Sequence, residues 1–383
     1  MARKPVLNAL TGIRFIAALH VVLFHYLNPA RLDLAHPAHY ATYHLIRYGY
    51  VGVSVFFVLS GFVLAYNYPF FDTRADRRRF WRARFARIYP LYLAALLLSL
   101  PIFISYTQFG SLFDVIKAGG KVGIEAALLN AWTPWTSCGI NCPGWSLSAE
   151  AFFYVVFPFI IPAFRRLGSR RLLALAAGLW GMAVILPFLY TLAGGSVAAD
   201  THGKVLFRDV IRFTPLLHLP QFLIGAVTGL LYTRRQANGT PFWKPSRGLA
   251  ALALGVIIWA MLRFEIEYAL VNNGLFAPLF AFILFVLARD SSFLTQIFSR
   301  RWMMALGEAS YAVYILQYPL AGWFARIRQG TWIAVKLDYA PLLVYTMLLV
   351  ALSVASYKFL ETPTRRWIIS RFGAKAPSIP GKV

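Results

Sequence analysis

The chain has 383 residues, of which 59% are hydrophobic and 14% charged, and its mean hydropathy is +0.60, whereas a soluble globular chain carries roughly 25% charged residues. That balance excludes a soluble domain and calls for a bilayer as solvent. The net charge of +24 does not mark a nucleic-acid partner, because the arginines fall in short runs between apolar stretches and not on one basic domain.

Arg3 and Lys4 precede an apolar stretch as in a signal peptide, but Arg14, His20 and His25 interrupt it and no small-x-small cleavage site follows, so it reads as a retained first helix. A spanning helix needs about 20 mostly apolar residues. Ten windows qualify: Ala9 to Leu27, His44 to Tyr66, Ile88 to Thr107, Ser146 to Phe164, Leu172 to Ala193, Pro215 to Thr233, Leu249 to Leu262, Val271 to Ala288, Met303 to Phe324, and Ala340 to Leu360. The seventh and eighth are separated by little more than Arg263, Glu265 and Glu267. The fold expected is an all-α polytopic membrane bundle of about ten transmembrane helices. It fills residues 1–373 as one domain, with a disordered cytoplasmic tail at 374–383.

Cytoplasmic loops carry the excess of Lys and Arg. The termini and the loops around Arg77, Arg165, Arg234 and Arg300 hold 26 of the 38, the opposite segments hold 11, and Arg14 lies within the first span. Both termini are therefore expected in the cytoplasm. The longest outward segment, Gln108 to Trp145, has aromatic residues and turn formers but little charge, which suits a course along the membrane interface.

Ionisable residues inside spans are costly and usually face a bundle interior or a wet cavity. Arg14 and His25 are eleven residues apart, close to three turns, so they share a face about 16 Å apart along the axis, with His25 toward the outer half. His20 points elsewhere. A lone membrane histidine is either catalytic or hydrogen-bonded between helices. Arg14 can equally snorkel to the inner headgroups.

Six stretches extend this reading: LTGIRFIAALHVVLFH (Leu10 to His25), GVSVFFVLSGF (Gly52 to Phe62), RARFARIYPLY (Arg82 to Tyr92), WSLSAEAFFY (Trp145 to Tyr154), LGEASYAVYILQYP (Leu306 to Pro319) and FLETP (Phe359 to Pro363). In order, they resemble the motifs of the membrane-bound acyltransferase family 3 along nearly the whole chain. Gln317 stands where many members have His, so no catalytic role is carried to it, and Ser54 replaces a common Asp.

The resemblance implies transfer of an acyl group, usually acetyl, from cytoplasmic acyl-CoA to a hydroxyl of an envelope glycan, such as exopolysaccharide or lipopolysaccharide, at the bacterial inner membrane. Acyl-CoA is then the donor substrate, and no permanently bound cofactor or metal is expected. Arg84 and Arg87 of the RxxR run, with Arg14, are the candidates for the donor's phosphates, although the positive-inside rule alone would place a basic loop there. His25 is the candidate base for the acceptor hydroxyl, or the group that is itself acylated first.

Glu150 is expected at the depth of His25, orienting its imidazole; the alternative is a carboxylate capping the fourth span. Glu308 and Glu361 are expected as ion-pair partners of Arg14 or the RxxR arginines. Tyr311 and Tyr314 either line a polar path or pack between helices, and Trp145 fits an interfacial aromatic belt. Rival readings are a transporter or flippase of an envelope lipid or sugar, and a sensor or scaffold. With no esterase-like domain in view, the chain would act alone or hand the acyl group to a separate periplasmic acyltransferase.

Cys138 and Cys142 lack the second ligand pair of a zinc site. In an outward segment, with Gly139 between them, a small bridged loop is expected, the alternative being two free thiols.

Overall fold

The structure is a computed structural model that describes residues 7–195, 205–237, 248–289, 293–332 and 336–372. The expected C-terminal tail lies outside these residues. In chain order the helices are α1 (Asn8–Tyr26), α2 (Pro37–Ile46), α3 (Val51–Asn67), α4 (Arg74–Tyr106), α5 (Leu112–Ala126), α6 (Gly144–Arg166), α7 (Ser169–Leu192), α8 (Val205–Phe213), α9 (Pro215–Ala237), α10 (Leu249–Arg263), α11 (Tyr268–Asn272), α12 (Ala277–Leu287), α13 (Phe293–Phe298), α14 (Arg301–Gln329), α15 (Tyr339–Ser356) and α16 (Thr362–Phe372). No strand occurs among the described residues; one isolated bridge joins Leu27 to Leu337.

The chain is a polytopic helical bundle, but the expected count of about ten spans is not reached by length and composition. Among the described residues seven helices qualify, or eight if α2 and α3, bent by 50° at a short break, form one broken span. Helix α10 has only 15 residues. Helix α14 has 29 but carries Glu308, Tyr311, Tyr314 and Gln317. These polar residues are tolerable because α14 runs through the protein interior: every residue from Ala309 to Gln317 is buried, so lipid does not have to solvate them.

Glycines set the helix spacing. Gly225 and Gly229 of α9 form a GxxxG pair facing α3; a Cβ at Gly225 would overlap the Val58 carbonyl, and one at Gly61 would overlap that of Phe222. Small residues let membrane helices approach until backbone dispersion contacts hold them, since lipid offers no hydrophobic drive between helices. The same device joins α14 to α1, where Gly307 lies against the Thr11 carbonyl.

The loops assigned to one side by charge meet at one end of the bundle. There Arg234 donates to the carbonyls of Arg165 and Leu167, each at 2.6 Å, Arg165 stacks on Phe70, and Arg82 reaches the Phe372 carbonyl at 2.5 Å. At the opposite end Arg31 pairs with Asp338 at 2.8 Å and Arg47 with Glu265 at 3.0 Å.

At that opposite end α5 and the loop after it form a cap. Ser111 starts α5 by accepting from the Asp114 amide. Leu112, Phe113 and Ile116 face outward, while Glu125 at its far end is 1% exposed. The Glu125 carboxylate accepts the amide N–H groups of Ile140 at 3.1 Å and Asn141 at 2.8 Å. Both lie inside the ring closed by the Cys138–Cys142 disulfide, whose Cα atoms are 4.1 Å apart. Asn141 then donates to the Ile315 carbonyl of α14 at 3.1 Å, which fastens the cap onto the middle of the bundle. Trp145, expected at the interface, is instead buried, with its ring 5.0 Å from that of His218 and 5.3 Å from that of Phe213.

Replacing Gly225 by Leu should lower the thermal unfolding midpoint in detergent by an amount equivalent to roughly 1–3 kcal/mol of overpacking. Gly255→Ala in α10, where a Cβ meets nothing within 4 Å, should leave the midpoint unchanged or slightly raised. Burial pushes the Glu125 carboxyl up to about 7 against the opposing pull of its two amide donors. Its folded value is thus above the unfolded one, so its contribution to stability is complete below about 4.5 and is lost as pH rises through about 7. Unfolding midpoints measured from pH 5 to 8 should therefore fall more steeply for the wild type than for Glu125→Gln; parallel curves would contradict this.

Candidate active site

The central cavity lies among α1, α3, α4, α6 and α14 and encloses about 840 Å³ of empty space, including the open solvent at its mouth. Its polar wall holds Arg14, Ser60, Arg84, Arg87, Glu150 and Tyr154. Glu150 lies in the second turn of α6, and its Oε1 accepts from Ser60 Oγ at 2.7 Å and from Tyr154 Oη at 2.5 Å. Tyr154 follows one turn later on the same face, as i,i+4 spacing dictates.

Arg84 stacks on Tyr68 with its guanidinium carbon 5.4 Å from the ring centroid. Arg87 pairs with Glu361 at 3.2 Å, the side chains being 16% and 3% exposed. Removing either member of so buried a pair would strand a charge.

Arg14 differs from both. It lines the cavity and makes no hydrogen bond or ion pair with any described residue, although the charges of Arg87, Glu150 and Glu361 are near. A guanidinium in that state offers its N–H fork to a phosphate, a carboxylate or a developing oxyanion.

The upper wall of the cavity leads toward His25. Ser146 Oγ donates to Tyr314 Oη at 2.8 Å, and the Tyr314 carbonyl accepts from Gln317 Nε2 at 2.8 Å. Gln317 Oε1 meets His25 Nδ1 at 3.0 Å. Because the amide nitrogen is committed to a carbonyl, Oε1 is the atom that faces the imidazole, and an amide oxygen only accepts. Nδ1 therefore carries the proton and Nε2 presents its lone pair. The Gln317 backbone is held in turn, its carbonyl accepting from Tyr26 Oη at 3.1 Å and Tyr345 Oη at 2.6 Å. His25 itself keeps exposed surface.

Several expectations change. Glu150 does not orient His25: its partners are Ser60 and Tyr154, and Gln317 occupies the place beside the imidazole. The reason is depth, since Glu150 is six residues into α6 while His25 is in the last turn of α1. Glu150 does not cap α6 either. Glu308 is exposed and makes no ion pair with Arg14, Arg84 or Arg87 among the described residues; its polar neighbour is Tyr357. Glu361 does meet the RxxR run, through Arg87.

Tyr311 and Tyr314 line the cavity, and the Tyr311 hydroxyl donates to the Ile88 carbonyl at 2.6 Å. Arg14 and His25 are separated along one helix, Arg14 in the cavity and His25 beyond its upper wall. His20 ties α1 to α2 through the Leu45 carbonyl at 2.8 Å. Ser60, Tyr154 and Glu125 were not singled out from sequence, although Ser60 and Tyr154 are polar side chains in apolar helices, the signal that marks buried partners.

The chain matches the acyltransferase-domain family across residues 7–360. It is 29% identical to the acyltransferase MdmB of Streptomyces mycarofaciens over 332 residues, 85% of this chain and 81% of that one. A putative O-acetyltransferase of Staphylococcus aureus is 22% identical over 97% of this chain and 59% of its own length. The putative peptidoglycan O-acetyltransferase YrhL of Bacillus subtilis is 27% identical over 81% of this chain and 48% of its own. The chain thus spans only about half to three fifths of the last two. No solved structure matches. With the family's motifs folded into one polar cavity and one accessible imidazole, this chain belongs to the acyltransferase family 3 and is a membrane acyltransferase.

Proposed function

We propose that the protein is an O-acyltransferase of the bacterial inner membrane that moves an acyl group, most simply acetyl, from cytoplasmic acyl-CoA to a hydroxyl of an envelope glycan. His25 carries this reading. An alcohol is a poor nucleophile at neutral pH and needs a base within hydrogen-bond reach, and the Gln317 hydrogen bond leaves Nε2 of an accessible histidine as that base. The names of the Staphylococcus and Bacillus relatives support oxygen as the acceptor atom.

In the reaction, Nε2 takes the hydroxyl proton while the oxygen attacks the thioester carbonyl. The tetrahedral oxyanion collapses with loss of the thiolate, which recovers the proton from the imidazolium. The donor approaches from the arginine-rich end, which the charge asymmetry places in the cytoplasm. Arg14, free of protein partners, holds the donor in the cavity. Gln317, which stands where many members have His, holds the His25 tautomer and cannot itself exchange a proton.

His25→Ala in lipid nanodiscs should lower acyl transfer by about 10²–10⁴-fold, read as thiol release from acetyl-CoA in the presence of acceptor, with donor affinity unchanged. Gln317→Leu should lower kcat by roughly tenfold or more without raising KM for the donor, as loss of a tautomer-fixing group does. Full activity in a folded His25→Ala protein would remove the histidine from the mechanism. For orientation, a C-terminal reporter that matures only in the cytoplasm should be active, and one that matures only outside it should be silent.

A further inference from the structure

A second recess adjoins the central cavity at the arginine-rich end, with about 720 Å³ of empty space including its open mouth. Arg87 belongs to both chambers. Its other walls are Tyr357, Glu361, Thr362, Arg365 and Arg366, none of which lies in the RxxR run.

The helix geometry behind the recess follows from one residue. Pro363 has no N–H to donate to the carbonyl of Phe359 four residues back, and Tyr357–Glu361 form a π turn, a widened turn that often marks functional sites. The turn brings Glu361 inward to Arg87. Arg365 follows four residues later on the same face, with Arg366 beside it.

Three guanidinium groups and one carboxylate therefore line the recess. The Arg87–Glu361 pair uses Glu361 Oε2, whereas Oε1 is buried and has no partner. Neither Arg365 nor Arg366 has a carboxylate within ion-pair distance among the described residues. The recess thus presents unpaired cations for anionic oxygens and one buried acceptor that asks for an N–H or O–H donor. A phosphorylated nucleoside supplies both. Arg84, by contrast, is stacked on Tyr68 and lines the central cavity only, so it is placed nearer the acyl end than the phosphate end.

We infer that this recess binds the 3′-phosphorylated ADP portion of the acyl-CoA donor, with Arg365 and Arg366 as its phosphate ligands and Arg87 as the post around which the pantetheine arm turns into the central cavity. The inference rests on acyl-CoA being the donor. A lipid headgroup offers the same phosphate chemistry, and the experiment separates the two sources.

The full chain is placed in nanodiscs of phosphatidylcholine, and binding of adenosine 3′,5′-bisphosphate and of acetyl-CoA is measured by calorimetry for the wild type and for Arg365→Gln/Arg366→Gln. The double variant should lose roughly tenfold or more in affinity for both, the size expected on losing charge-assisted phosphate contacts. Arg365→Lys/Arg366→Lys should recover part of it, which a misfolded helix would not do. His25→Ala should bind the bisphosphate as the wild type does.

Unchanged binding of both ligands in the Gln variant would overturn the assignment and leave acyl-CoA standing as donor. A wild type that binds neither ligand would instead remove the donor reading, and the recess assignment with it. If the Gln variant loses only co-purifying phosphatidylglycerol and keeps the bisphosphate, the recess is a headgroup site and the assignment falls.

Discussion

Helices α1, α3, α9 and α14 meet backbone to backbone at glycines, and the polar interior depends on those contacts. Gly61 and Gly225 lie against carbonyls of the facing helix, and Gly307 lies against Thr11. Any side chain there would push the helices apart by more than a hydrogen bond tolerates, since donor–acceptor distances beyond about 3.5 Å no longer count as bonds. The His25 to Gln317 bond at 3.0 Å crosses between α1 and α14, a pair set at such a spacing.

Within that frame, polar groups in an apolar bundle satisfy one another in a graded way. At the arginine-rich end Arg87 and Glu361 neutralise each other in a buried pair. In the middle Glu150 collects two hydroxyl donors, and Arg14 is left open to the cavity. Toward the far end the amide of Gln317 replaces charge altogether. In the proposed reaction the cations at one end would meet the donor's phosphates and the imidazole toward the other would take the hydroxyl proton.

The cap after α4 has its own logic. A carboxylate with no cation nearby is expensive to bury, and Glu125 is offset by two amide N–H groups presented by the five-residue disulfide ring. That ring limits how the backbone of Ile140 and Asn141 can turn away. The cap therefore reaches α14 through Asn141 and the Ile315 carbonyl, two residues before Gln317.

The sequence by itself determined the solvent, the helical class, the order of the motifs and the two ends of the bundle, because hydropathy and charge asymmetry are summed over many residues and survive local error. It also singled out Arg14 and His25 as costly intramembrane groups and Arg87 and Glu361 as polar groups at the inner end. Only the tertiary structure decided who meets whom. Spacing along one helix gives depth and face about that helix's own axis, but the rotation and vertical offset of its neighbours are set by packing. Glu150 was therefore assigned to His25 when Ser60 and Tyr154 stand beside it. Trp145 was assigned to the interface when rings of α3, α8 and α9 bury it, and Glu308 was given a cation it does not reach. Gln317 shows the limit most plainly: its difference from histidine is legible in the chain, whereas its control of the imidazole tautomer exists only because α14 and α1 lie close enough for an amide oxygen to touch Nδ1.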